Sequence, residues 1–290
     1  MNQRQGEQAS QRRRGADARE RRVPVIRSGG GEARSFEDRV AVEEPLEIRI
    51  EGRALGVTMR TPGNDEELAA GLLLAEGVIR RRADVGSIAV CGDPGNIELR
   101  NVVDVFLRPG VEPDWSRLKR TMLTTSSCGL CGKAQLDALK TRAEPIPLDG
   151  MRVLPADLVR MDGALLGRQE VFRSTGGLHA AAIFSPGGDL VLLREDVGRH
   201  NAVDKAIGAA LLAGLFPLGN VILMVSGRAS YEIVQKAAVA GIPCLAAVSA
   251  PSSLAVDLAR EFGVTLIGFL RGDSFNIYTH PERIAHHRSA

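Results

Sequence analysis

Apolar and polar positions alternate twice between residues 46 and 60, as L-E-I-R-I-E and A-L-G-V-T-M-R around Gly52 and Arg53. A period of two marks a strand with one buried face, so this stretch predicts a hairpin. The pattern then becomes helical: Leu68, Leu72, Ala75 and Ile79 follow Asn64, an N-cap residue with Glu67 three positions on, which predicts a capped helix. Two more strands are expected near 86–91 and 101–108, and a helix over 133–141. From Ala181 the pattern changes again. Ala181–Phe184 and Leu190–Leu193 flank S-P-G-G and read as a hairpin, and a helix follows over 202–213. Continuous apolar runs V-I-L-M-V (221–225), C-L-A-A-V (244–248) and V-T-L-I-G-F (264–269) then alternate with helical stretches over 231–240 and 254–262. Runs of this kind predict parallel strands covered on both faces, hence an α/β fold.

Composition adds boundaries. Pro145, Pro147 and Gly150 mark a linker. Arg4, Arg12, Arg13, Arg14, Arg19, Arg21 and Arg22 crowd a start with no apolar period, which predicts disorder because nothing there offsets the entropy of ordering. The chain divides into an Arg-rich disordered head over 1–35, a strand-rich portion over 36–148 and an α/β domain over 149–290. A formal net charge of +2 excludes a nucleic-acid-binding polycation. No signal-peptide core is present, and no stretch reaches the ~18–20 apolar residues of a membrane span. A cytoplasmic protein is expected.

Four cysteines, Cys91, Cys128, Cys131 and Cys244, do not make a disulfide framework in such a chain. Cys91 and Cys244 end or open apolar runs and read as core residues. Cys128 and Cys131 stand in S-S-C-G-L-C-G-K, flanked by glycines and followed by Lys133. Positive charge beside a thiol favours thiolate, which attacks sulfur or binds metal. Zinc needs two further ligands, and no second C-x-x-C exists. A thioredoxin-type pair follows a strand, whereas T-T-S-S precedes this one. Two idle loop thiols would oxidise. A persulfide carrier is the remaining reading, and the spacing alone does not choose among the four.

Three strand-end loops carry a different signal. V-S-G-R-A-S-Y (225–231) holds Ser226, Gly227, Arg228 and Ser230; V-S-A-P-S-S (248–253) holds Ser249, Ser252 and Ser253; G-F-L-R-G-D-S (268–274) holds Arg271, Gly272 and Ser274. Each serine alone is an ordinary N-cap. Three such loops at the carboxyl edge of one sheet point to a phosphate-bearing ligand. The charged string R-E-D-V-G-R-H-N-A-V-D-K (194–205), with His179 nearby, reads as an ion-pair network joining the two portions rather than a metal or acid–base site, since no full ligand set is visible.

C-G-L-C-G, T-G-G-L-H-A-A-A, E-D-V-G-R-H-N-A-V-D-K, S-G-R-A-S-Y-E-I-V-Q-K and Y-T-H-P-E-R together resemble the FdhD family of formate dehydrogenase accessory sulfurtransferases, from about Val42 to Ile284. The resemblance implies a cytidine-deaminase-like three-layer α/β/α domain with a smaller strand-rich N-terminal portion, and a homodimer. It implies a sulfur carrier that takes persulfide sulfur from a cysteine desulfurase. The sulfur passes to the molybdenum cofactor bis(molybdopterin guanine dinucleotide), required by formate dehydrogenase. Cys128 would hold the persulfide and Cys131 assist its transfer. Phe269, Leu270, Arg271, Gly272, Asp273 and Ser274 match the family's cofactor-binding stretch, to which the strand-end argument adds Arg228 and Ser226. The zinc deaminase signature is missing, so deamination is not implied. A non-catalytic molybdenum-cofactor chaperone and a thiol-disulfide oxidoreductase are the alternatives.

Overall fold

The computed structural model describes residues 19–91, 101–116, 118 and 143–285. Cys128 and Cys131 lie outside the described residues, as does the helix expected over 133–141.

The chain opens with an antiparallel pair, β1 (Glu20–Gly29) and β2 (Glu32–Ala41). The expectation of disorder is therefore corrected over residues 20–35. Cross-strand contacts order the pair: Arg39 reaches Glu20 at 2.7 Å, and Arg27 lies 4.9 Å over the Phe36 ring. Glu20 also accepts the Ser174 hydroxyl hydrogen bond from far along the chain.

β3 (Glu44–Ile50) and β4 (Arg53–Arg60) form the expected hairpin, and β5 (Val85–Cys91) and β6 (Val102–Leu107) complete a four-stranded sheet of order β4-β3-β6-β5. Leu46, Ile48 and Ile50 are buried on one face by the two-residue period. Helix α1 (Asp65–Ala75) packs on that face. Its N-terminus is not the expected capping box. Asn64 sits at φ 59 with no side-chain cap, and only its carbonyl accepts, from Leu68 N–H. Asn tolerates this left-handed conformation, which turns the chain out of Pro62–Gly63 into the helix.

Helices α2 (Pro155–Arg168) and α3 (Glu170–Thr175) were not expected. The signal for α2 was present: Pro155 in the first turn, then buried Leu158, Met161 and Leu165 at helical spacing. Then come β7 (His179–Phe184), β8 (Leu190–Asp196), α4 (Arg199–Leu212), β9 (Ile222–Val225), α5 (Tyr231–Val239), β10 (Cys244–Ala247), α6 (Ser253–Glu261), β11 (Thr265–Arg271) and β12 (Ser274–Ile277). The second sheet runs β12-β11-β10-β9-β7-β8. The three apolar runs form the expected parallel strands β9, β10 and β11, and β7 with β8 the expected hairpin; β7, β8 and β12 are antiparallel to their neighbours, so the sheet as a whole is mixed.

Alternation sends Ala180, Ala182, Phe184, Met224 and Ala246 towards α2 and Ala181, Ile183, Leu223, Val225 and Leu245 towards α4, α5 and α6. Helices thus cover both faces, which makes three α/β/α layers and confirms the α/β class. The second of these clusters continues through α1 into the four-stranded sheet, so the expected division near Gly150 separates sheets but not cores. The α1–α4 crossing is close enough that a Cβ on Gly71 would stand 1.9 Å from Asp204 O, and one on Gly208 1.9 Å from Glu67 O. Among the described residues no helix is long and apolar enough to cross a membrane. Cys244 is fully buried, and desolvation pushes its thiol up to about 12, as befits a core cysteine.

Candidate functional site

The carboxyl ends of β9, β10 and β11 and the starts of α4, α5 and α6 meet along one edge of the six-stranded sheet. The antiparallel β7 brings His179 to the same edge: Ala181 pairs with Val225, which sets His179 beside Gly227. A Cβ on residue 227 would lie 3.4 Å from His179 Nδ1, so glycine keeps the space before the ring open.

The stretch expected as a cofactor loop, 269–274, is instead a strand–turn–strand. Phe269, Leu270 and Arg271 belong to β11, Gly272 and Asp273 make the turn, and Ser274 opens β12. The register shifts between Gly268 and Arg271, and Phe269 takes φ 55 and is 43% exposed. A bulky residue in the left-handed region costs about 1–3 kcal/mol, and here it stands at the irregularity where β11 turns towards β12. Leu270 is 0% exposed beneath α2, so its side chain serves the core. Arg271 Nε donates to Val248 O at 2.9 Å, tying β11 to the end of β10. Asp162, which sequence reasoning passed over, accepts the Gly272 N–H at 3.1 Å and fixes the turn from α2. Asp273 and Ser274 are exposed.

Ser226 is held in place as an acceptor, which leaves its hydroxyl proton to donate elsewhere. Its Oγ accepts the Ala180 N–H at 2.9 Å and continues the β7–β9 ladder. Arg228 is exposed. Beyond it, Glu232 Oε2 lies 2.8 Å from His200 Nε2, which places the proton on that nitrogen. Ser230 Oγ at 3.3 Å and Arg199 Nε at 3.4 Å are then its close neighbours rather than its donors. The hydrogen bond from His200 holds the Glu232 carboxyl below the usual carboxylate range, with burial opposing. Sequence reasoning had Arg199 and His200 in one string and Ser230 in another; their meeting follows from α4 and α5 both starting at this edge.

The 194–205 string forms the expected ion-pair network. Arg194 grips Glu67 of α1 through two nitrogens. Lys205 Nζ reaches Asp196 at 2.7 Å and Thr61 O at 2.7 Å, with both charged side chains buried. Asn201 Nδ2 donates to Met59 O, and Lys236 to Asp204 at 2.7 Å. Each portion of the chain supplies partners, so the network holds the edge rigid. Among the described residues no three His, Cys, Asp or Glu side chains form a metal-binding group.

Burial, with Arg199 and His200 nearby, pulls the His179 pKa below 6.5, and Asp196 opposes this only in part. The unfolded chain therefore takes up this proton first as pH falls. Its contribution to stability declines from about pH 6.5 down through the lowered folded pKa. A histidine NMR titration should give His179 a midpoint below the unfolded value. His179→Gln should flatten the dependence of the denaturation midpoint on pH across that window; an unchanged slope would contradict it.

Comparison with known proteins is extensive. The model of the FdhD/NarQ family matches residues 41–285. The chain is similar to the sulfur carrier protein FdhD of Streptomyces coelicolor, 54% identical over 91% of this chain and 95% of that one. It is equally similar to the sulfur carrier protein FdhD of Mycobacterium tuberculosis, 54% identical over 84% of this chain and 91% of the relative. A crystal structure from Desulfotalea psychrophila, described as a formate dehydrogenase accessory protein, superposes with a TM-score of 0.74 at 26% identity, covering 92% of this chain and 99% of that one.

Proposed function

Since the chain belongs to the FdhD/NarQ family, we propose that it is a sulfur carrier and sulfurtransferase that accepts persulfide sulfur on Cys128. The donor is a cysteine desulfurase and the acceptor substrate is the bis(molybdopterin guanine dinucleotide) molybdenum cofactor, delivered for formate dehydrogenase. The protein works in the cytoplasm as a homodimer. The observation that carries this reading is the set of relatives called sulfur carriers at 54% identity over most of the chain, together with the C-G-L-C-G string at 128–132.

The chemistry balances within the cysteine pair. The Cys128 thiolate attacks the outer sulfur of the donor persulfide, and the donor cysteine leaves as thiolate. The Cys131 thiolate then attacks Cys128 Sγ, and the outer sulfur departs as sulfide towards the acceptor's molybdenum. Two electrons come from the two cysteines, which are left as a disulfide that a dithiol reductant reopens. This is why a second thiol at this spacing is useful where one would serve a simple nucleophile. The sheet edge suits the acceptor's other end. Phe269 offers a ring to a guanine, and Arg228 and Arg271 offer guanidinium groups to phosphate.

Intact mass after incubation with cysteine desulfurase and cysteine tests the reading. Wild type should gain one sulfur atom, and Cys128→Ala should gain none and support no formate dehydrogenase activity. A wild type that gains no sulfur would favour the chaperone reading, and a gain that survives Cys128→Ala would remove Cys128 as the carrier. A Cys128–Cys131 pair that turns over dithiols without taking up sulfur would favour the oxidoreductase.

A further inference from the structure

We propose that Arg199, His179 and Ser230, beside the His200–Glu232 pair, form an oxyanion site for the diphosphate of the acceptor, at the opposite end of the sheet edge from Phe269. The site stands on geometry alone; only the identity of its ligand rests on the sulfur-delivery reading. From β11 to β7 is three strand steps, through β10 and β9, or about 14 Å at ~4.8 Å per strand. An extended nucleotide-bearing ligand lying along the edge would place its base at Phe269 and an anionic group at His179.

The charges at this end are out of balance. Arg199 makes no ion pair among the described residues; its Nε lies 3.4 Å from His200 Nε2. Arg228, exposed from the β9–α5 loop, adds a second guanidinium. Two carboxylates face them. Glu232 is engaged by His200, and Asp196 is 0% exposed and bound to Lys205, Thr61 N–H, Gly198 N–H and Asn201. Glu232 keeps 55% of its side chain exposed in that pair, so the solvent-facing charges are Arg199 and Arg228 against one carboxylate. The His179 ring registers this, because Arg199 and His200 both oppose its protonation. Its nitrogens make no hydrogen bond among the described residues, and Gly227 leaves room in front of them. Ser230 Oγ lies 3.3 Å from His200 Nε2 and caps no backbone N–H of α5, so a hydroxyl is at hand as well. The Arg199 guanidinium, the His179 imidazole and the Ser230 hydroxyl are groups that bind diphosphate oxygens, the guanidinium through charge-assisted hydrogen bonds, while the His200 Nε2–H stays with Glu232.

The test titrates the full chain with inorganic pyrophosphate, read by calorimetry and by the histidine C–H signals. His179 and His200 should shift, and the His179 midpoint should rise, because a bound anion favours imidazolium. Arg199→Gln should weaken pyrophosphate by about tenfold or more, with an unchanged melting midpoint, and His179→Gln should weaken it as well. Pyrophosphate that leaves both histidine signals unmoved, or binds Arg199→Gln as tightly as wild type, overturns the site. Sulfur loading of wild type is measured on the same preparation. Loading that fails defeats the carrier reading while the anion titration still stands, and an anion indifferent to Arg199 does the reverse.

Discussion

Gly208→Ala should lower stability by about 3 kcal/mol or more, a fall of about 6–12 °C in melting midpoint for a chain of this size. On an exposed helix the same change would gain about 1 kcal/mol from propensity, so the sign depends on the crossing. Here the added Cβ would stand 1.9 Å from Glu67 O and 2.8 Å from Gly71 N. Both are backbone atoms of a buried helix, and neither can swing aside as a side chain would. Relief requires α1 and α4 to part, which opens the cluster that runs from Ile48 through Leu68 and Ala206 to Leu223. Gly71→Ala should do the same through Asp204 O. Thermal melts followed by circular dichroism decide the matter; an alanine variant that melts at or above the wild-type temperature would show that the helices have slack.

Lys205→Met should cost about 3–5 kcal/mol, the range for removing one partner of a buried ion pair. Asp196 would keep the Thr61, Gly198 and Asn201 donors but lose the cation 2.7 Å away while remaining fully buried. Thr61 O would lose its Lys205 partner in the same step. Asp196→Asn with Lys205→Met should cost less than the sum of the single changes, since no charge is then left uncompensated. Urea midpoints of the four proteins complete the cycle. Additive losses would mean that the two charges act independently despite their distance.

Much of the fold was legible because local pattern and tertiary role agree. The apolar runs at 222–225 and 244–247 are strands buried on both faces, and alternation at 46–50 gave one buried face. The failures share a cause in long-range contact. The 20–41 hairpin looks like a solvated leader by composition, and its order depends on Arg39 with Glu20 and on Ser174 far away. Asn64 has the residue type of a cap, yet the turn before it fixes a conformation that leaves its side chain uncapped. The 269–274 stretch reads as a loop because Gly272 and Asp273 interrupt it, whereas β12 pairs back on β11 and Leu270 fills the core. Of the candidate site, the sequence showed which strings carry chemistry, and the ion-pair role of 194–205 was readable from interleaved charge. That His179 and Gly227 share an edge was not readable, because it depends on β7 running against β9.

The backbone at Phe269 sets two selection pressures against each other. Glycine would occupy φ 55 without strain, so a lineage chosen only for heat tolerance would drift towards it and lose the ring. A lineage chosen for holding a flat heterocycle would keep the aromatic and tolerate the contortion beneath it. Which side chain stands at that codon in any descendant is thus a record of what its ancestors were required to grasp.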